Sequence, residues 1–126
     1  MTTALYVDNS TEMLPILLHF CEQNGAVVLH VARSGEEALV WLLKNTADVI
    51  ISEYDLPGMS GIRLLEVLHS RGIMAPFIFF TSCTSLLLKN KAHDAGAAGL
   101  VVRDGTGKKP VLQLMRLLTW VVRKSD

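Results

Sequence analysis

Short apolar runs alternate along the chain with longer stretches whose apolar residues recur every three or four positions. The first pattern predicts buried strands and the second predicts amphipathic helices. Leu5-Tyr6-Val7 reads as a strand. Residues 12–23 read as a helix, with Leu14, Leu17, Leu18 and Cys21 at i, i+3, i+4 and i+7. Pro15 falls in its first turn, where a missing N–H costs least, and Asn24-Gly25 ends it. Residues 27–31 are strand-like. Ser34 is a candidate N-cap with Glu37 as its capping-box partner, opening a helix through Ala38, Leu39, Leu42 and Leu43. Strands over 48–52, 77–81 and 99–102 then alternate with helices over 62–69, 86–95 and 111–123, with Gly72 and Gly96 as stops.

Continuously apolar strands imply burial on both faces, hence a parallel sheet with helices on both sides. Right-handed crossovers leave few topologies, and the flavodoxin-like (βα)5 order 2-1-3-4-5 is expected. The 126 residues form one domain, 1–126, free-standing or one module of a larger signalling protein. No repeat, low-complexity tract or linker interrupts the pattern.

Composition narrows the function classes. Half of the residues are hydrophobic and 19% are charged, which excludes a disordered chain. Lys+Arg and Asp+Glu balance at 12 each, so neither a nucleic acid nor a membrane surface is an expected partner. Met1-Thr2-Thr3-Ala4 lacks the basic start of a signal peptide, and no apolar run approaches the ~18 residues of a membrane span. Cys21 and Cys83 suggest no disulfide, and His19, His30, His69 and His93 have no zinc-like spacing. A cytoplasmic location follows as the expectation.

The chemistry collects at strand ends. Strand one ends Val7-Asp8-Asn9-Ser10. Strand three ends Ser52-Glu53-Tyr54-Asp55-Leu56-Pro57-Gly58-Met59-Ser60-Gly61. Strand four ends Phe80-Thr81-Ser82, and strand five ends Val101-Val102-Arg103-Asp104. In the expected order all four ends meet at one rim, where open α/β sheets bind ligands. Carboxylates, a hydroxyl and a cation converging there would suit a divalent metal and a phosphoryl group.

Leu56-Pro57-Gly58-Met59 and Gly61 after an acid, with Ala95-Gly96-Ala97 before strand five, resemble the receiver domain of two-component response regulators over essentially the whole chain. The resemblance implies an acidic pair after strand one and an Asp after strand three that hold Mg²⁺. It implies that the strand-three Asp takes a phosphoryl group from a histidine kinase. It implies further that a Thr/Ser after strand four and a Lys after strand five bind the phosphoryl oxygens. Asp8 and Thr81 match that pattern. Asn9 replaces the second acid, Glu53 the phosphoacceptor, Arg103 the Lys, Leu100 the state-reporting aromatic, and Asp104 the following Pro. These five positions change while the loop and core features stay, which resembles a degenerate receiver, or pseudo-receiver.

Several expectations follow from those departures. Glu53 carries one more methylene than Asp, a displacement of about 1.5 Å, and in-line attack is sensitive to such shifts. The planar fork of Arg103 suits a carboxylate, so an ion pair with Glu53 is expected. The candidate metal ligands are Asp8, Asn9, Glu53, the Tyr54 backbone carbonyl and Asp55, with Mg²⁺ weak or absent and no other cofactor. The Arg103-Asp104 bond is expected to be trans, with a rearranged loop over 104–109. Gly105-Thr106-Gly107-Lys108 lacks the Gly and Ser/Thr of a Walker loop and reads as a turn. Asp8-Asn9-Ser10-Thr11-Glu12 has no glycine and two acids, which argues against a flavin phosphate loop.

The expected function is signal transduction by protein–protein contact, not catalysis. The alternative is an active phosphorelay receiver that takes a phosphoryl group on Glu53 or a nearby Asp with Mg²⁺. Partners would be a histidine kinase or another signalling protein, with a homodimer through the fourth and fifth helices as a further option. On the fourth helix Leu88, Ala92 and Ala95 should face inward and Leu86 and Leu87 outward. On the fifth, Val111, Leu114, Met115, Leu118 and Val122 should face the core, with Leu112 and Trp120 at its edge. Leu86, Leu87, Leu112 and Trp120 are therefore the candidate interaction residues.

Overall fold

The computed structural model describes residues 1–104 and 107–125. Its strands are β1 (Thr2–Val7), β2 (Val27–Ala32), β3 (Val49–Ser52), β4 (Phe77–Thr81) and β5 (Gly99–Val102). Its helices are α1 (Leu14–Asn24), α2 (Gly35–Leu42), α3 (Gly61–Ser70), α4 (Leu86–Asp94) and α5 (Lys108–Ser125). The sheet order is β2-β1-β3-β4-β5, with every neighbouring pair parallel, as the alternation of patterns predicts.

Successive strand residues point to opposite faces, so each apolar strand feeds two cores. Ala4, Tyr6, Ile51, Ile78 and Phe80 join Leu17, Leu114 and Leu118 on the α1–α5 side. Leu5, Val7, Ile50, Phe77 and Phe79 join Ala38, Leu64 and Leu68 on the α2–α3–α4 side. Ser34, Ser60 and Ser85 each accept a backbone N–H at the start of α2, α3 and α4, which fixes where these helices begin.

Three details depart from the sequence pattern. Leu18 is exposed, because the inner face of α1 runs through Met13, Leu17 and Cys21, and one further residue turns about 100° away. Near the end of α5 it is Val121 that is fully buried, while Val122 is half-buried beside Thr2 and Val27 at the rim of the sheet. α5 starts at Lys108, three residues before its apolar stripe, with Pro110 accommodated in the first turn. No cis peptide bond occurs among the described residues, which covers Arg103-Asp104, whereas the expected 105–108 turn lies partly outside them.

Candidate functional site

Residues two apart on a strand share a face, and that rule builds the site. Asp8 follows Tyr6, Glu53 follows Ile51 and Arg103 follows Val101, each of the preceding three lying in the α1–α5 core. The three polar side chains therefore leave the carboxyl ends of β1, β3 and β5 on one side of the sheet. The backbone holds them there: Glu53 N–H donates to the Val7 carbonyl at 3.0 Å, and Arg103 N–H to the Thr81 carbonyl at 2.9 Å.

Arg103 closes the site. Its Nη2 donates to Glu53 Oε2 at 2.6 Å and its Nη1 to Asp8 Oδ2 at 3.1 Å, so one guanidinium bridges two buried carboxylates. Asp8 also accepts from the Tyr6 hydroxyl at 2.7 Å and from Ser10 N–H at 3.0 Å. Glu53 Oε1 accepts from Tyr54 N–H at 2.8 Å. The guanidinium carbon lies 5.7 Å from the centre of the buried Phe80 ring, within cation–π range. Burial opposes the charge on Arg103, but the fields of Asp8 and Glu53 outweigh it and hold its pKa above the ordinary value. Burial first, then the hydrogen bond to Asp8, push the Tyr6 phenol far above its usual range. Every buried side-chain polar atom among the described residues has a hydrogen-bond partner.

The loop after β3 depends on glycine. A Cβ on Gly61 would stand 2.5 Å from the Glu53 carbonyl oxygen and 2.9 Å from Phe79, so only glycine lets α3 start this close to the acid. Gly61 N–H donates to the Tyr54 carbonyl at 2.7 Å, and Gly58 has φ +77°, a left-handed conformation.

Above the triad lies an open cleft of about 460 Å³, lined by Asp8, Asn9, Glu53, Asp55, Thr81 and Arg103 together with Ser10, Tyr54, Ser82 and Cys83. Thr81 is buried and its Oγ1 accepts from Cys83 N–H at 3.2 Å. Asn9 and Asp55 are exposed, and the Asn9 carbonyl accepts from Arg33 Nη2 at 3.2 Å. The expected residues thus share one cleft, but they do not form a ligand sphere for a hard dication. Arg103 holds one oxygen each of Asp8 and Glu53, and the backbone N–H groups of Ser10 and Tyr54 donate to the other two. No group of three or more His, Cys, Asp or Glu placed to hold a metal occurs among the described residues. The donor set does not fit Mg²⁺ without displacing Arg103.

Sequence reasoning missed Tyr6 and Phe80. Both sit inside apolar strands and look like core. The one available signal was the Tyr6 hydroxyl, which needs a partner when buried and stands two residues before an acid.

Leu86 and Leu87 are 70% and 63% exposed at the start of α4, and Leu112 is exposed at the start of α5. Trp120 is 55% exposed, with Lys124 Nζ 4.7 Å from its ring centre. It lies beside Pro76 and Ala98, at the amino ends of β4 and β5. Leu112 and Trp120 are eight residues apart along α5, about 12 Å, so these two side chains do not form one patch.

Residues 4–111 match the family described as response regulator receiver domain. The transcriptional activator protein ExaE of Pseudomonas putida is 36% identical over 99 residues, covering 77% of this chain and 46% of that protein. The chain spans about half the length of the curated relatives it matches. The solved Francisella response regulator 1452 receiver domain superposes over 100% of both chains with a TM-score of 0.87 at 22% identity. The chemotaxis response regulator CheY4 of Vibrio cholerae covers 93% of this chain and 98% of its own, with a TM-score of 0.77 at 28% identity.

Proposed function

The chain belongs to the response regulator receiver domain family, and we propose that it works there as a signalling module that acts through protein contact without taking a phosphoryl group at Glu53. One observation carries this reading: Arg103 bridges Glu53 and Asp8. An acid that is to attack phosphorus needs a free, in-line lone pair. Both Glu53 oxygens accept hydrogen bonds, one of them from a guanidinium at 2.6 Å. The guanidinium also stands between the two acids that a dication would have to share, so Mg²⁺ binding is weak.

In receivers that do take a phosphoryl group, the cation after strand five meets that group. Here the longer acid reaches the cation directly, and the pair imitates the phosphorylated contact permanently. Leu100 is half-buried against the α2–α3–α4 core and has no aromatic ring to report a change of state. The output is then a constant surface, read by a histidine kinase or another signalling protein through the exposed Leu86 and Leu87 of α4 and Leu112 and Trp120 of α5. The domain is not an enzyme in this reading. No helix among the described residues is long and apolar enough to cross a membrane.

The test is a titration with Mg²⁺ and beryllofluoride, a phosphoryl analogue, followed by amide NMR. The resonances of Glu53, Thr81 and Arg103 should stay in place. Saturable shifts at micromolar Mg²⁺ would overturn the proposal.

A further inference from the structure

β2 is an edge strand, and its sequence leaves that edge unprotected. Proteins usually blunt a free edge with lysine, proline, a bulge or a very short strand. The six residues Val27–Ala32, VVLHVA, contain none of those charges and no proline, and their pairing to β1 runs unbroken from Thr2↔Val27 to Val7↔Ala32. The other edge differs: β5 has four residues and runs directly into Arg103.

The register tells which backbone groups are free. Thr2 N–H donates to the Ala26 carbonyl and Asp8 N–H to the Ala32 carbonyl. In a parallel ladder, alternate residues turn both their polar groups to the same neighbour. Ala26, Val28, His30 and Ala32 therefore face β1, and Val27, Leu29 and Val31 turn N–H and C=O outward. None of those outward groups has a partner among the described residues. An occupant that satisfies this row has to be an extended strand.

We infer that the β2 edge pairs with the β2 edge of a second copy, antiparallel about Leu29, to give one continuous sheet across two protomers. The segment is matched to itself. A twofold at Leu29 sets Leu29 opposite its own copy and Val27 opposite Val31, so all three outward residues exchange both backbone bonds with the partner. The side chains of Val28 and His30 then stand opposite each other across the twofold. Val28 is 47% exposed and apolar, and His30 is held flat against Trp41, with ring centres 4.5 Å apart and planes 19° apart. With no Asp, Glu, Lys or Arg on the strand, self-pairing brings none of these charges against its copy.

The experiment is sedimentation equilibrium on the wild-type chain and on two charge variants. V28K/H30K places lysine opposite lysine in the dimer, and V28E/H30E places glutamate opposite glutamate. The wild type should dimerise, each variant alone should dissociate about tenfold or more readily, and a mixture of the two should recover the dimer. Amide exchange on the wild type is a second measurement that needs no variant: Val27, Leu29 and Val31 should gain protection as concentration rises. A wild type that stays monomeric up to millimolar concentration would overturn the inference. So would a dimer that both charge variants leave intact, a dimer lost in Leu87→Glu, or outward amides that exchange equally fast at every concentration.

Discussion

Arg103 carries more than any other residue, because it neutralises two acids that the sheet buries together. Removing one partner of a buried pair leaves charge without compensation, so Arg103→Ala should cost about 3–5 kcal/mol in urea denaturation. Arg103→Lys should recover only part of that loss, since one ammonium lacks the fork that spans both carboxylates. Tyr6 has a different signature. Its hydrogen bond goes to a charged group, and Tyr6→Phe should cost about 1.5–3 kcal/mol at neutral pH. Its phenol titrates higher in the folded chain than the ordinary value of about 10. The folded state then holds its proton more tightly, so the stabilisation is full below about pH 10 and falls as pH rises beyond it. Tyr6→Phe has no such proton to lose. Its deficit relative to wild type should be constant up to about pH 10 and shrink as pH rises above that, and a deficit that stays constant there would refute this role. At this scale the Glu53–Arg103 pair was legible, because acid and cation types at two strand ends fix a chemistry. Tyr6 was not, because a tyrosine inside an apolar strand first reads as packing.

Among the elements, the loop from β3 into α3 is the tightest. Gly61→Ala should destabilise by about 1–3 kcal/mol or more, measured by thermal or urea unfolding, because its Cβ meets backbone that cannot move aside. α4 shows the opposite tolerance. Leu87 is largely exposed, so Leu87→Glu should change stability by no more than about 0.5 kcal/mol while weakening capture of a signalling partner. If that variant unfolds instead, Leu87 is core. Helix phase was readable where one stripe dominates, as in Leu88 and Ala92 of α4, both buried. It slipped by one residue at Val121, where α5 reaches the rim of the sheet and neighbouring positions share partial burial. The start of α5 was missed because Lys108, Lys109 and Pro110 carry no apolar period, although the first turn of a helix needs none.

For the molecule as a whole, the alternation of strand and helix patterns gave the sheet order in advance, since parallel pairing and right-handed crossovers leave little choice. That order gathers Asp8, Glu53, Thr81 and Arg103 at one edge, and the same edge forms the cleft above them. What no pattern could supply is how the side chains meet once gathered there. Here the acid at that edge is engaged on both oxygens, by Arg103 and by the Tyr54 N–H. The most direct check is the intact mass of the wild-type chain after incubation with a small-molecule phosphodonor and Mg²⁺. The mass should stay unchanged, with no acid-labile adduct. A mass gain of one phosphoryl group, mapped to Glu53 or to the exposed Asp55 beside it, would contradict a phosphorylation-independent receiver.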